Sequence, residues 1–169
     1  MNHPVHNFLE SKFEVTKSVA HRYIGLQIET IAEGELLVRQ TSHMKKVASR
    51  HELAQAKPVD SPIVAGQRLT KNGINDGLEC EAVDVPYRHA IGSLMYISLG
   101  TRPDISFAVS FLSRFSEQPK LIHWNAVKRV IKYLASTPDV GLRFIRRKNG
   151  ETRVDCHSDA DFALSLIHI

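Results

Sequence analysis

PYRHAIGSLMYISLGTRPDISFAVSFLSRFSEQPKLIHWNAVKRVIKYLAS, from Pro86 to Ser136, carries the three helical patterns on which the fold depends. In its first part Tyr87, Ala90, Ile91, Leu94 and Met95 recur at i, i+3 and i+4, which places them inward on one face of a helix. Gly100 follows the last turn, where a left-handed residue commonly ends a helix. Thr101 then reads as an N-cap, with Pro103 in the first turn and Asp104 as an acidic variant of the capping box. Ile105, Ala108, Val109, Leu112 and Phe115 line the second helix, Phe107 and Phe111 widen that face, and Glu117–Lys120 (EQPK) closes it. From His123 to Ser136 a third stripe runs through Trp124, Val127, Val130, Ile131 and Leu134, with Lys128, Arg129 and Lys132 elsewhere. Joints this short predict three helices packed together.

Upstream, residues 7–15 predict a short helix. Arg22 to Thr30 alternates Tyr23, Gly25 and Gln27 against Ile24, Leu26 and Ile28, the period of a half-buried strand. AEGE turns the chain, and Leu36 to Arg39 completes a hairpin. Thr41 should cap a helix with Met44, Val47 and Ala48 inward. The prolines of AKPVDSPIV favour an extended segment, and Ala65 to Val85, rich in Gly, Asn and Asp, reads as a mobile surface loop. Downstream, Gly141–Ile145 and Thr152–Ser158 flank RRKNGE, whose Asn-Gly pair signals a second hairpin. The chain then runs from Asp161-Phe162-Ala163 into LSLIHI. That hairpin has no sheet to join and would be marginal alone, so truncation at both ends is the expectation. No internal repeat is visible.

The composition, 43% hydrophobic and 24% charged over 169 residues, is that of a globular domain. The formal charge is only +4, but Lys120 to Lys148 holds eight Lys/Arg against one acid, Asp139. Such a strip suits a polyanionic partner, and solvated helix faces carry similar charge. Cys80 and Cys156 form no CxxC pair, which gives no support for zinc or a redox motif. There is no signal-peptide core and no run near the ~18–20 apolar residues of a membrane span. A soluble cytoplasmic or nuclear protein with no membrane partner is expected.

GSLMY (92–96), TRPDISFAV (101–109), the HW, AVKRV and KYL words of 123–134, and SDAD (158–161) together resemble the Pol polyprotein of copia-type LTR retrotransposons. The similarity is to the end of the reverse transcriptase and the opening of its RNase H domain. YIGLQIE, LLVRQTSHMKKV and AKPVDSPI extend it upstream, so that it covers roughly residues 7 to 163. The resemblance implies an α+β chain: a C-terminal palm remnant with its β-hairpin (1–64), a flexible loop (65–85), a three-helix thumb/connection bundle (86–137), the first hairpin of a truncated RNase H (138–163) and an unmatched tail (164–169). The intact parent would be an Mg²⁺-dependent RNA-directed DNA polymerase with RNase H. Its YVDD-like carboxylate pair is absent from these residues, and Asp60, Asp76 and Asp84 sit in proline- or glycine-rich connections that suit structural or solvated roles. No cofactor is expected in this stretch. Asp159 matches the first metal-binding aspartate of RNase H, but even with Asp161 it cannot build a site for two Mg²⁺ ions. Neither activity is expected of this chain alone.

The remaining candidates concern nucleic acid. Arg88, Gly92 and Tyr96 fall at i, i+4 and i+8, one line along a helix. An interior glycine costs ~1 kcal/mol against alanine. The resemblance accounts for it by a helix lying in the minor groove of a template–primer duplex, and close helix–helix packing at Gly92 is the alternative. Tyr23-Ile24-Gly25 resembles the primer-grip hairpin, or is an ordinary edge strand. Lys128, Arg129 and Lys132 contact phosphate or solvate their helix. Trp124 reads as core rather than a base-stacking residue, and His123 and His157 as surface residues. The expected partners are an RNA–DNA hybrid or DNA duplex, bound weakly, and the rest of the polyprotein. An inert product of a decayed element and a captured nucleic-acid-binding module are the competing readings.

Overall fold

The computed structural model describes residues 4–14, 21–64, 66, 69–71, 73–74 and 82–146. Helix α1 (Pro4–Lys12) is followed by strands β1 (Arg22–Tyr23), β2 (Leu26–Ala32) and β3 (Glu35–Arg39) and by helix α2 (Thr41–Arg50). A small ribbon of β4 (Leu69–Thr70) and β5 (Gly73–Ile74) precedes helix α3 (Tyr87–Gly100). One 3₁₀ turn (Pro103–Ile105) leads into α4 (Ser106–Ser113), then α5 (Leu121–Ser136) and strand β6 (Leu142–Ile145). The fold is mixed α+β.

The three patterned segments are helical, and their stripes meet in one core. Ala90, Ile91 and Leu94 of α3, Ala108, Val109 and Leu112 of α4, and Val127, Val130, Ile131 and Leu134 of α5 are buried with Met44, Val47 and Ala48 of α2. Each fully buried Leu or Ile among them contributes ~1.5–3 kcal/mol. Trp124 packs on this core, its ring edge-on to His51 at 5.4 Å and tilted against Tyr87 at 6.4 Å. Met95 and Phe107, expected to face inward, stand 41% and 72% exposed.

Strands β1, β2, β3 and β6 form one antiparallel sheet in that order. In β6, Leu142 pairs with Val38 and Ile145 with Glu35. The strand expected to open a C-terminal hairpin therefore joins the N-terminal hairpin. Its own expected partner, 152–158, lies outside the described residues, as does the tail. The sheet is fastened to the helices by side chains. Gln27 Oε1 accepts the Ser42 N–H at 2.9 Å, capping α2 from a neighbouring strand. Thr41, expected to cap that helix, instead donates its hydroxyl to the Pro138 carbonyl at 2.8 Å. Arg39 bridges Glu29 and Asp139.

The joint after α3 departs from the expected caps. Gly100 is the last helical residue and does not adopt the left-handed conformation. A Cβ there would run into the buried Gln40 side chain, so close approach explains the glycine. Thr101 is buried and donates its hydroxyl to Gln40 Oε1 at 3.0 Å.

His123, expected at the surface, is fully buried and stacks on Phe115 at 4.0 Å. Its Nδ1 accepts the Lys120 N–H and its Nε2 donates to the Thr70 carbonyl, which fixes the neutral Nε2–H tautomer. Burial, against the Thr70 hydrogen bond and with the Lys120 charge, holds its pKa below the usual histidine value. This histidine starts α5 two residues earlier than the pattern suggested and pins the β4–β5 ribbon to it. Leu69, inside the stretch expected to be a mobile loop, is a core residue. Positions 65, 67–68, 72 and 75–81 of that stretch lie outside the described residues.

Candidate nucleic-acid interface

The continuous strand expected over residues 22–30 is a tight hairpin. Tyr23 pairs with Leu26, leaving Ile24 and Gly25 as a two-residue loop with φ of 46° and 76°. Positive φ at both positions is the signature of a type I′ turn. Gly25 adopts it freely, whereas the β-branched Ile24 is an outlier there. What holds the turn is Tyr96 of α3, whose hydroxyl donates to the Ile24 carbonyl at 2.5 Å. A Cβ on Gly25 would collide with that hydroxyl. Tyr23 and Ile24 project outward, 63% and 70% exposed.

Arg88, Gly92 and Tyr96 do lie on one exposed face of α3, together with Met95 and the 82% exposed Leu99. A Cβ on Gly92 would have nothing within 4 Å, so helix packing does not explain this glycine. Arg88 is exposed and donates from Nε to the Ser116 carbonyl at 2.9 Å. Sequence reasoning thus placed Tyr23, Gly25, Gly92 and Tyr96 in two separate motifs, and the Tyr96–Ile24 hydrogen bond joins them into one surface.

The basic residues of α5 are elsewhere. Arg129 donates to the Ser61 carbonyl and hydroxyl at 3.0 and 3.1 Å, holding the proline-rich segment onto the helix. Lys132 lines a cleft with Val59, Val64 and Ile122 on that flank, and Lys128 is half-buried.

Helix α2 was passed over as a functional element. It runs antiparallel beside α3: the His43 ring meets Tyr96 edge-on at 4.9 Å, and Arg50 Nη1 lies 3.1 Å from His89 Nε2. Burial first, then the charges of Arg50 and Lys46, hold the His43 imidazole below its usual pKa. Neither helix contains an Asp or Glu, a signal that was available in TSHMKKVASR and YRHAIGSLMYISLG.

Among the described residues no group of His, Cys, Asp or Glu is placed to hold a metal ion. Asp60 and Asp84 are exposed, and Asp76, Asp159 and Asp161 lie outside those residues. No helix among the described residues is long and apolar enough to cross a membrane.

The chain is 36% identical over 143 residues to the retrovirus-related Pol polyprotein from transposon RE2 of Arabidopsis thaliana. It is 34% identical over 147 residues to that from transposon TNT 1-94 of Nicotiana tabacum. Both alignments take in 85% of this chain, and 9% and 11% of the relatives, so the chain spans about a tenth of their length. A shorter similarity, 46% over 80 residues, covers 47% of this chain and 55% of the secreted RxLR effector protein 161 of Plasmopara viticola. No family model and no solved structure matches. The long alignments run through the α2, α3 and α5 words, and on their strength the chain belongs with the retrovirus-related Pol polyproteins of transposons, matching one stretch of them.

Proposed function

We propose that this stretch is the duplex grip of a copia-type reverse transcriptase, formed by the last palm hairpin and the first thumb helix. The carrying observation is the hydrogen bond from Tyr96 to Ile24, which sets the Tyr23–Gly25 turn on the same face of α3 as the open Gly92. A helix surface open at Gly92 beside an exposed aromatic turn suits the sugar–phosphate backbone of an RNA–DNA hybrid or DNA duplex. The grip is sequence-independent and weak, in the non-specific range of ~10⁻⁴–10⁻⁶ M. In the parent polyprotein it would position the primer end for RNA-directed DNA synthesis at Mg²⁺ sites formed by other segments. The described residues do not fit such a site, and no catalytic step is assigned to them.

Gly92→Leu tests this reading. Leucine gains ~1 kcal/mol of helix propensity over glycine. Its Cβ meets no neighbour within 4 Å on an exposed face of α3, so thermal stability should hold or rise. Hybrid-duplex binding by fluorescence anisotropy should be lost, because the side chain fills the space the backbone needs. Parent-like binding by a folded Gly92→Leu protein would refute the groove assignment.

A further inference from the structure

We infer that α2 and α3 form a two-helix phosphate track, in which Lys46 and Arg50 of α2 are the cations that hold a duplex backbone over Gly92. The inference rests on the duplex-grip reading and identifies its charged contacts. Contacts between the helices set the alignment. His43 meets Tyr96 and Arg50 meets His89, a separation of seven residues along each helix. Two turns apart on each helix, these contacts bracket Lys46 on α2 and Gly92 on α3. Lys46 therefore stands beside the one position of the α3 stripe that has no side chain. The result is a shallow gap with Tyr96 at one end, the Arg50–His89 pair at the other and an exposed lysine along its side.

Charge complementarity selects the occupant. Neither helix carries a carboxylate, and among the described residues neither Lys46 nor Arg50 has an acidic partner. The contact to His89 uses only one of the five guanidinium N–H donors of Arg50, and the arginine is exposed. Lys45 belongs to another surface, a cleft it lines with Ala48, Leu134 and Pro138. The α5 run is a poorer source of contacts, since Arg129 is occupied by Ser61 and Lys132 lies on the flank of the 59–64 segment. A sugar–phosphate backbone, with a negative charge at each step, fits a basic gap that is open at Gly92.

The test is the salt dependence of B-form DNA duplex binding by the full chain, read by anisotropy. Each phosphate contact contributes ~0.9 to the slope of log affinity against log salt, so Lys46→Gln/Arg50→Gln should flatten it by ~1.8. Lys46→Arg/Arg50→Lys, which keeps both charges, should restore the parent slope. Lys128→Gln/Lys132→Gln serves as the comparison. If the parent binds and the α2 glutamine pair keeps its slope, this inference falls while the duplex grip stands. If the charge-keeping pair is as flat as the glutamine pair, the loss is not electrostatic and the inference also falls. A parent with no duplex binding overturns the underlying reading and this one with it.

Discussion

Asp104→Ala should lower stability by up to ~3–5 kcal/mol, the cost of leaving a buried charge without its partner. The Arg102 side chain is fully buried, and Asp104 is its only carboxylate among the described residues. Arg102 Nε and Nη2 donate to Asp104 at 3.0 and 2.8 Å, Nη1 and Nη2 also reach the Thr137 carbonyl and hydroxyl at 2.8 Å, and Nη1 lies 3.7 Å from Met44 Sδ. Tyr133 adds its hydroxyl to Asp104 at 3.0 Å and lies under the guanidinium. Alanine at 104 strands a positive charge among the side chains of α2, the 3₁₀ turn and α5. Arg102→Met should cost less, because Asp104 keeps 36% exposure and can be hydrated once released. Urea unfolding of the two variants checks the order, and equal or reversed losses would contradict it.

The same pair sets a pH dependence. Burial pushes the Asp104 carboxyl up, but the Arg102 hydrogen bond and charge and the Tyr133 hydroxyl outweigh it, so its pKa lies below the ordinary 3.8. A carboxylate depressed by folding contributes stability that is present above its unfolded pKa and is lost as the pH falls through the folded one. Acid should therefore weaken the parent below pH 3.8 more than it weakens Asp104→Asn.

Gly25→Ala should cost ~1–3 kcal/mol from left-handed strain alone. Its larger consequence is for binding. The new Cβ occupies the place of the Tyr96 hydroxyl, so that hydroxyl must give up the Ile24 carbonyl and duplex binding should weaken. The two residues then make a double-mutant cycle. Tyr96→Phe removes the colliding oxygen, and Gly25→Ala in that background should be milder than in the parent. Strictly additive losses would mean that turn and helix are not coupled. Ile24 carries its own strain in the parent, which is why the Tyr96 hydrogen bond matters for holding the turn.

Much of the helical part was legible because Ala90, Leu94, Val109, Leu112, Val127 and Val130 obey a local 3.6-residue period that needs no tertiary knowledge. What escaped depended on distant partners. The alternation through Tyr23-Ile24-Gly25-Leu26 continues across the turn, so periodicity could not show that the strand folds back at an isoleucine with positive φ. Gly100 looked like a left-handed terminator, yet its cause is Gln40, sixty positions upstream. His123 and Arg102 are polar letters whose burial follows from Thr70, Asp104 and Thr137 closing around them. The pairing of Val38 with Leu142 leaves no mark on either strand. For the site, the spacing of Arg88, Gly92 and Tyr96 was visible, while its junction with the Tyr23–Gly25 turn and with α2 was not.

The duplex grip is tested most directly by amide chemical shifts of the ¹⁵N-labelled chain titrated with a short RNA–DNA hybrid. Slow or local motions of distant segments do not confuse this measurement, because each amide reports its own surroundings. The largest changes are predicted at Gly92, Tyr96 and Gly25, which the Tyr96–Ile24 hydrogen bond brings together from the first hairpin and α3, and, with the α2 track inferred above, at Lys46. Changes confined to Lys128–Lys132 of α5, or none at millimolar duplex, would contradict it.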